Sequence, residues 1–509
     1  MLARVTTFAL EGLQPIPVTV EVDVRPGLPA FTIVGLGDAA VRESRERVRA
    51  ALLNSGFEFP LRRIVANLAP ASLRKAGPGF DAALAAGVLA ASEQVPLLSV
   101  ENTGIYGELS LGGEIKSCRG TLSAAEGARE MGLSRFLVAD ERASEAALVR
   151  GLNVGSVRDL RELAEVLAGE REHRIPDRHV HAVSQTDTQT ELDLSDVRGQ
   201  DEVVRALLIA AAGGHNLLME GPPGVGKTML ARRLPSLLPP LSEEEALQVT
   251  RIQSVAGLHV DPSLVFRRPF RAPHHSVSMV GLIGGGGIPL PGEVTMAHRG
   301  VLFLDELSEF PRNVLEALRQ PLEDGAVTIV RVGGRAEFPA RFCLVAATNP
   351  CPCGHAGHGT RCTCDPLTLE RHARRLSGPI IDRFDILATA RRPEADHFRA
   401  EGEAPSSLTS EQGRDLVAKA RECQLVRWGC EPIELNSEAS ERQLRQHGSV
   451  SSRAQEQLEA AYSRNLISPR GRLRVLRVAR TIADLAGGAP VEAEHVIHAL
   501  GLRVRTASV

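Results

Sequence analysis

"HNLLMEGPPGVGKTML", residues 215–230, decides the fold. An apolar, strand-like run leads into Gly221-Pro222-Pro223-Gly224-Val225-Gly226-Lys227-Thr228, and the "KTMLARRLPSLL" that follows reads as helix. A strand, a glycine-rich turn and a helix start, in that order, let backbone N–H groups converge on phosphate oxygens. Lys227 then adds a point charge for the β- and γ-phosphates, and Thr228 a hydroxyl for Mg²⁺. The spacing predicts an α/β core that takes ATP with Mg²⁺.

Two further strands complete that expectation. "GVLFLDELSEF" (300–310) runs four apolar residues into Asp305-Glu306, one carboxylate to hold Mg²⁺ and the next to polarise water. Alone, such a run is an ordinary strand end; downstream of a phosphate loop it gains a role. "FCLVAATNP" (342–350) ends in Asn349, placed to orient the attacking water.

Bulk properties agree with a soluble chain of roughly two to four domains: 509 residues, 43% hydrophobic and 24% charged. No apolar stretch reaches the ~18 residues of a membrane span, and Glu11 interrupts the N-terminus before a signal core can build, so a cytoplasmic protein with no membrane partner is expected. A net charge of -3 excludes a generally basic surface, and 3% aromatic residues leave little for base stacking. Contact with a polyanion would have to be focal and directed at its backbone.

Along the chain, residues 1–168 alternate strand-like "PVTVEVDV" and "RIVANLAP" with helical "DAAVRESRERVRAALLNSG", a first domain. Residues 169–192 lack an apolar period and read as a linker. Strand–helix alternation fills 193–395, and 396–509 reads as helical to the end.

The order of the phosphate loop, the Asp-Glu strand, "ATNP", "SGPIIDRFDI" and "SPRGRLRVLRVARTIADLAG" resembles the YifB/ComM family of magnesium-chelatase-like AAA+ ATPases, and "RPFRAPHHSVSMVGLIGGGGIPLPGEVTMAHRGVLFLDEL" is its most distinctive stretch. The resemblance runs nearly end to end. It implies an AAA+ core at 193–395, a helical lid at 396–509 and a homohexamer. Asn349 resembles the first sensor, Arg383 the arginine finger given to a neighbouring subunit, and Arg470 the lid's second sensor. A fixed guanidinium at the γ-phosphate is worth ~10³ to 10⁵ in rate, so hydrolysis would depend on assembly.

The first domain, an α+β unit, resembles the catalytic domain of Lon-type Ser-Lys proteases without their chemistry. Gly79 stands at the nucleophile position and Leu122 at the lysine position, which leaves neither an oxygen nucleophile nor an amine base. Ser72 and Lys75 are close in sequence but are not expected to form a dyad.

"TNPCPCGHAGHGTRCTC" (348–364) packs half of the eight cysteines into one loop. Cys351 and Cys353, then Cys362 and Cys364, form two thiol pairs that a glycine-rich turn can fold onto one tetrahedral centre, which suits Zn²⁺. Inert thiols and a redox pair remain open alternatives, and His355 or His358 could replace a thiol.

For the substrate, "EDGAVTIVRVGGRAEFPARF" (323–342) reads as a hairpin turning at Gly333-Gly334, with Arg331, Arg335 and Arg341 as focal positive charge. The resemblance implies a DNA helicase or branch-migration motor acting on single-stranded or branched DNA in homologous recombination of incoming DNA during natural transformation, alongside recombination proteins. A protein-remodelling ATPase and a metal-chelatase-type chaperone are the rival readings.

Overall fold

The computed structural model describes residues 1–35, 37–72, 75, 77–176, 192–258, 264–287, 289–331, 334–356, 362–375, 378–392, 408–431 and 433–503. Most of the expected linker, the Gly333 turn position and His358 therefore lie outside the described residues. Among the described residues, no helix is long and apolar enough to cross a membrane.

The first sheet has seven strands: β1 (Leu2–Glu11), β2 (Gln14–Arg25), β3 (Ala30–Val34), β4 (Arg63–Ala69), β5 (Thr103–Tyr106), β6 (Arg135–Ala139) and β7 (Val154–Val157), in the spatial order β3-β4-β2-β1-β5-β6-β7. Alternation in β2 explains its placement, since Val18, Val20, Val22 and Val24 are buried while the residues between them are less so. The helix Asp81–Ala91 packs on β1 and β2 and is buried along its whole length. That suits a helix that is alanine-rich on every side. Its one charge, Asp81, is met by the Arg47 guanidinium, with Nε donating at 2.7 Å and Nη2 at 3.2 Å. Burial pushes the Asp81 carboxyl above its ordinary pKa, and the Arg47 and Ser44 hydrogen bonds pull against it.

The second sheet is parallel throughout. Its strands are β8 (Leu217–Glu220), β9 (Phe270–Arg271), β10 (Val301–Leu304), β13 (Cys343–Thr348) and β14 (Ile386–Thr389), ordered β9-β10-β13-β8-β14; β11 (Ala326–Arg331) and β12 (Gly334–Pro339) form a separate antiparallel hairpin. Helices cover both faces of a parallel sheet, so its strands carry unbroken apolar runs; all four residues of β10 are buried. The helix expected after the phosphate loop is broken in two, Lys227–Ala231 and Leu234–Leu237, with Pro235 in the first turn of the second piece.

The first domain is built into the ATPase core. Phe8, Leu122 and Phe136 share one buried cluster with Ala246 and Val249 of the helix Glu243–Ala256, and Leu13 joins another with Ile252 and Phe338. Polar contacts fix the register. Glu145 accepts from the backbone N–H of Leu122 and from the Ser254 hydroxyl, and Arg251 pairs with Glu126 at 3.0 Å. The hairpin β11–β12 lies under this junction, with Glu11 accepting from the Arg335 N–H.

The lid closes on the opposite flank through arginines that reach carbonyl oxygens left free at helix and turn ends. Arg421 donates to Ala211, and Arg474 and Arg503 both donate to Phe384, while Arg477 donates to Ala439 within the lid itself. At the lid's centre, the fully buried Asp484 carboxylate is shared by Arg427, by Arg480 at 3.0 Å and by the Asn436 amide at 2.8 Å. Asn436 also accepts from Trp428, the chain's one tryptophan, at 3.0 Å. Asp484→Ala would strand two guanidinium groups in the lid. It should lower unfolding free energy by about 3–5 kcal/mol, read as a lower urea midpoint by Trp428 fluorescence.

Candidate nucleotide site

The carboxyl ends of three adjacent strands build the site. The β8–β13 register pairs Glu220 with Thr348, and β10–β13 pairs Leu304 with Ala346, so Gly221, Asn349 and Asp305 emerge side by side. The glycines of the loop allow its sharp path, with φ of 77° at Gly224 and 92° at Gly226, a region where a side chain costs energy. Lys227 opens the helix that follows.

Four of the side chains meet in two pairs, Lys227 with Asn349 and Thr228 with Asp305. The buried Lys227 ammonium donates to the Gly221 carbonyl at 2.7 Å, the Pro222 carbonyl at 2.9 Å and Asn349 Oδ1 at 3.0 Å. Burial lowers its pKa, opposed by the charges of Asp305, Glu306 and Glu220. Thr228 Oγ1 donates to Asp305 Oδ2 at 2.6 Å, which brings together the hydroxyl and the carboxylate suited to Mg²⁺. Bound there, Mg²⁺ would neutralise phosphate charge. Pro222, Pro223 and Val225 complete the cradle between these groups.

Glu306 follows Asp305 in a left-handed conformation, φ 52°, which is rare for a residue with a side chain. That turn leaves its carboxylate exposed beside His275, whose Nδ1 lies 3.6 Å from Glu306 Oε2. His275 in turn stacks on His274, ring centroids 4.0 Å apart. Sequence reading missed His275, because no spacing rule links a residue after β9 to one after β10. It also missed His372, whose Nε2 lies 3.0 Å from the Asn349 carbonyl.

Arg383 and Arg470 are elsewhere. Arg383 sits three residues before β14, whose register with β8 places Ile386 beside Leu217. Four strand residues, about 13 Å at ~3.3 Å each, thus separate the Arg383 end of the sheet from the Lys227 end. Arg383 is nearly buried in a cavity of about 580 Å³ lined by seven arginines, Arg341 and Arg474 among them, and six carboxylates. It pairs with Glu323, while its Nε has no partner among the described residues. Burial lowers its pKa, with Arg319, Arg474 and Arg470 adding to the effect against Glu323. Arg470 is exposed in the first turn of the lid helix Pro469–Leu485.

The thiols converge. Cys351, Cys353, Cys362 and Cys364 offer sulfurs all within 4.8 Å of one another, and Cys351 to Cys353, Cys351 to Cys362 and Cys353 to Cys362 measure 3.3, 3.9 and 3.7 Å. A tetrahedral Zn²⁺ bonded at ~2.3 Å needs sulfurs about 3.8 Å apart, so the set fits. Backbone N–H groups of Thr363 and His355 draw the Cys353 thiol down, toward the thiolate that binds metal, while the neighbouring Cys351 and Cys353 push the Cys362 and Cys364 thiols up. His355 falls outside the set of converging groups.

In the first domain, Gly79 lies so close to Tyr106 that an added Cβ would meet its ring at 2.7 Å, and Leu122 is fully buried. Lys75 is buried with its ammonium on the Pro70 carbonyl, while Ser72 is exposed. Of the hairpin arginines, Arg335 is exposed beside Glu337 at 3.7 Å, and Arg341 lines the arginine cavity instead of the hairpin. The side chain of Arg331 lies outside the described residues.

Removing the Glu306 carboxylate while keeping its shape tests the site. Glu306→Gln should slow hydrolysis by about 10² to 10⁴ and leave nucleotide affinity unchanged, measured by steady-state ATPase and by titration with a fluorescent ADP.

Three family profiles match: magnesium chelatase subunit ChlI over residues 193–398, subunit ChlI of Mg-chelatase over 20–142, and the ChlI C-terminal region over 407–503. An uncharacterized protein of Mycobacterium tuberculosis is 45% identical over 507 residues, covering 99% of this chain and 98% of its own. Competence protein ComM of Haemophilus influenzae is 42% identical over 504 residues, and YifB of Escherichia coli 41% over 504, each covering 99% of this chain and 97% of its own. With the phosphate cradle, its acidic strand and its polar strand end in place on a parallel sheet, the chain belongs to the YifB/ComM family of magnesium-chelatase-like AAA+ ATPases.

Proposed function

We propose that this ATPase works in the cytoplasm as a homohexameric motor on DNA, a helicase or branch-migration factor in homologous recombination of incoming DNA, acting with recombination proteins. The observation that carries the reading is the placement of Lys227 and Arg383 at opposite ends of one parallel sheet. A protomer cannot bring its own Arg383 to its own phosphates. Arg383 nonetheless keeps an Nε with no partner among the described residues and three like charges, Arg319, Arg474 and Arg470, beside its one ion pair with Glu323, so it can take a further anion. A ring supplies that anion from the next subunit, and Arg470, on the same edge, would join it there.

DNA as substrate is supported by the family and by one relative's name, which assigns the Haemophilus protein to competence. The described part of the hairpin adds exposed Arg335 on an antiparallel ladder whose inner residues Val327, Ile329 and Phe338 are buried. In the same reading, Cys351, Cys353, Cys362 and Cys364 hold Zn²⁺.

Two measurements test this. Arg383→Ala should still assemble but lose about 10³ to 10⁵ in hydrolysis rate, and mixing it with Lys227→Ala should recover activity at mixed seams; full activity in Arg383→Ala rings would overturn the shared site. ATP hydrolysis should rise on adding branched or single-stranded DNA, with DNA affinity falling linearly in log salt as counterions are released. Indifference to DNA at every salt concentration would move the substrate to protein.

A further inference from the structure

The four-cysteine knuckle stands against the phosphate cradle at two points. At the first, Gly354 adopts φ 82° and faces Pro223 of the phosphate loop so closely that an added Cβ would lie 2.4 Å from Pro223 Cδ. The Gly354 N–H is held by the Cys351 carbonyl at 2.9 Å, and the Ala356 N–H by Cys351 Sγ at 3.2 Å, so the position of this glycine follows from that of the buried Cys351.

The second point is Asn349, two residues before Cys351. Its side-chain oxygen accepts from Lys227 and its backbone carbonyl meets His372. His372 is buried on the helix Pro366–Arg375, which starts two residues after Cys364 and is capped by Asp365 accepting from the Thr368 N–H at 2.6 Å. The chain thus leaves the sheet at Asn349, passes through the thiols and returns to Asn349 through His372.

Each of these contacts is local and small. A loop with little apolar content holds its shape poorly without a cross-link, and a four-thiolate metal site is one that folds such loops. We infer that metal in the Cys351, Cys353, Cys362 and Cys364 knuckle is an effector of the nucleotide site: it braces Pro223 through Gly354 and Asn349 through His372, so metal and nucleotide bind cooperatively. The inference rests on the zinc reading above and adds the coupling. Because coupling free energy is reciprocal, nucleotide must hold the metal more tightly by the same factor that metal tightens nucleotide.

The test uses the full chain. Its zinc content is read by elemental analysis, and the affinity for a fluorescent ADP is compared before chelation, after chelation and after zinc is returned. One zinc per chain, an affinity loss of about 5- to 150-fold on removal and recovery on return are expected. In the loaded protein, saturating ADP should slow zinc transfer to a chromogenic chelator, a readout that holds even if the stripped chain unfolds. His372→Ala should keep one zinc per chain yet weaken ADP binding, and His372→Gln, which restores a donor, should regain part of it. Equal ADP affinity with and without zinc, or zinc transfer indifferent to ADP, overturns the coupling while leaving the metal site standing. A chain that takes up no zinc removes the metal site and the coupling together.

Discussion

A parallel sheet has two chemically different edges, and this chain places Lys227 at one and Arg383 at the other. At the carboxyl edge, Lys227 donates to the Gly221 and Pro222 carbonyls of the phosphate loop and Thr228 donates to Asp305. The amino edge holds Arg383 in a cavity whose arginines are otherwise matched by carboxylates and carbonyl oxygens. Strand direction, fixed by the alternation of strand and helix along the chain, forbids the two edges from meeting within a subunit. Everything proposed about assembly descends from that polarity.

The surroundings of each edge serve different ends. Around Lys227 the contacts are to backbone carbonyls and one amide, exchangeable partners that a phosphate can displace. Around Arg383 the lid is locked in place by guanidinium-to-carbonyl bonds and by the buried Asp385 carboxylate, held below its ordinary pKa by His215, Arg474 and Arg477 against the opposing effect of its burial. One edge is arranged to exchange ligands, the other to keep its shape.

Much of this was legible in the residues. The phosphate loop, the Asp305–Glu306 strand end and Asn349 are local signals, a strand period followed by specific side chains; Lys227 meets Asn349 and Thr228 meets Asp305, while the Glu306 carboxylate turns outward to His275. β2 and the hairpin β11–β12 were equally plain from their alternation. What escaped were contacts between residues with no common period: His275 beside Glu306, His372 on the Asn349 carbonyl, Gly354 against Pro223. Each joins separate loops after the sheet is built, so only the strand register brings them together. β1 was not singled out either, because its buried residues run on through Thr7, Phe8 and Ala9 instead of alternating cleanly. Arg341 was misplaced for a related reason: it follows β12 directly, but the chain has already turned back toward the sheet.

The junction between the first domain and the helix Glu243–Ala256 carries its own implication. Phe8, Leu122 and Phe136 find apolar neighbours across that seam, and Glu145 is satisfied by a hydroxyl that belongs to the ATPase. Excising residues 1–168 would bare an oily surface on the remaining domain and leave Ser254 and Arg251 without their acidic mates. The front of the molecule is therefore no detachable accessory. Any shift of the helix Glu243–Ala256 is felt at once by the domain packed on it.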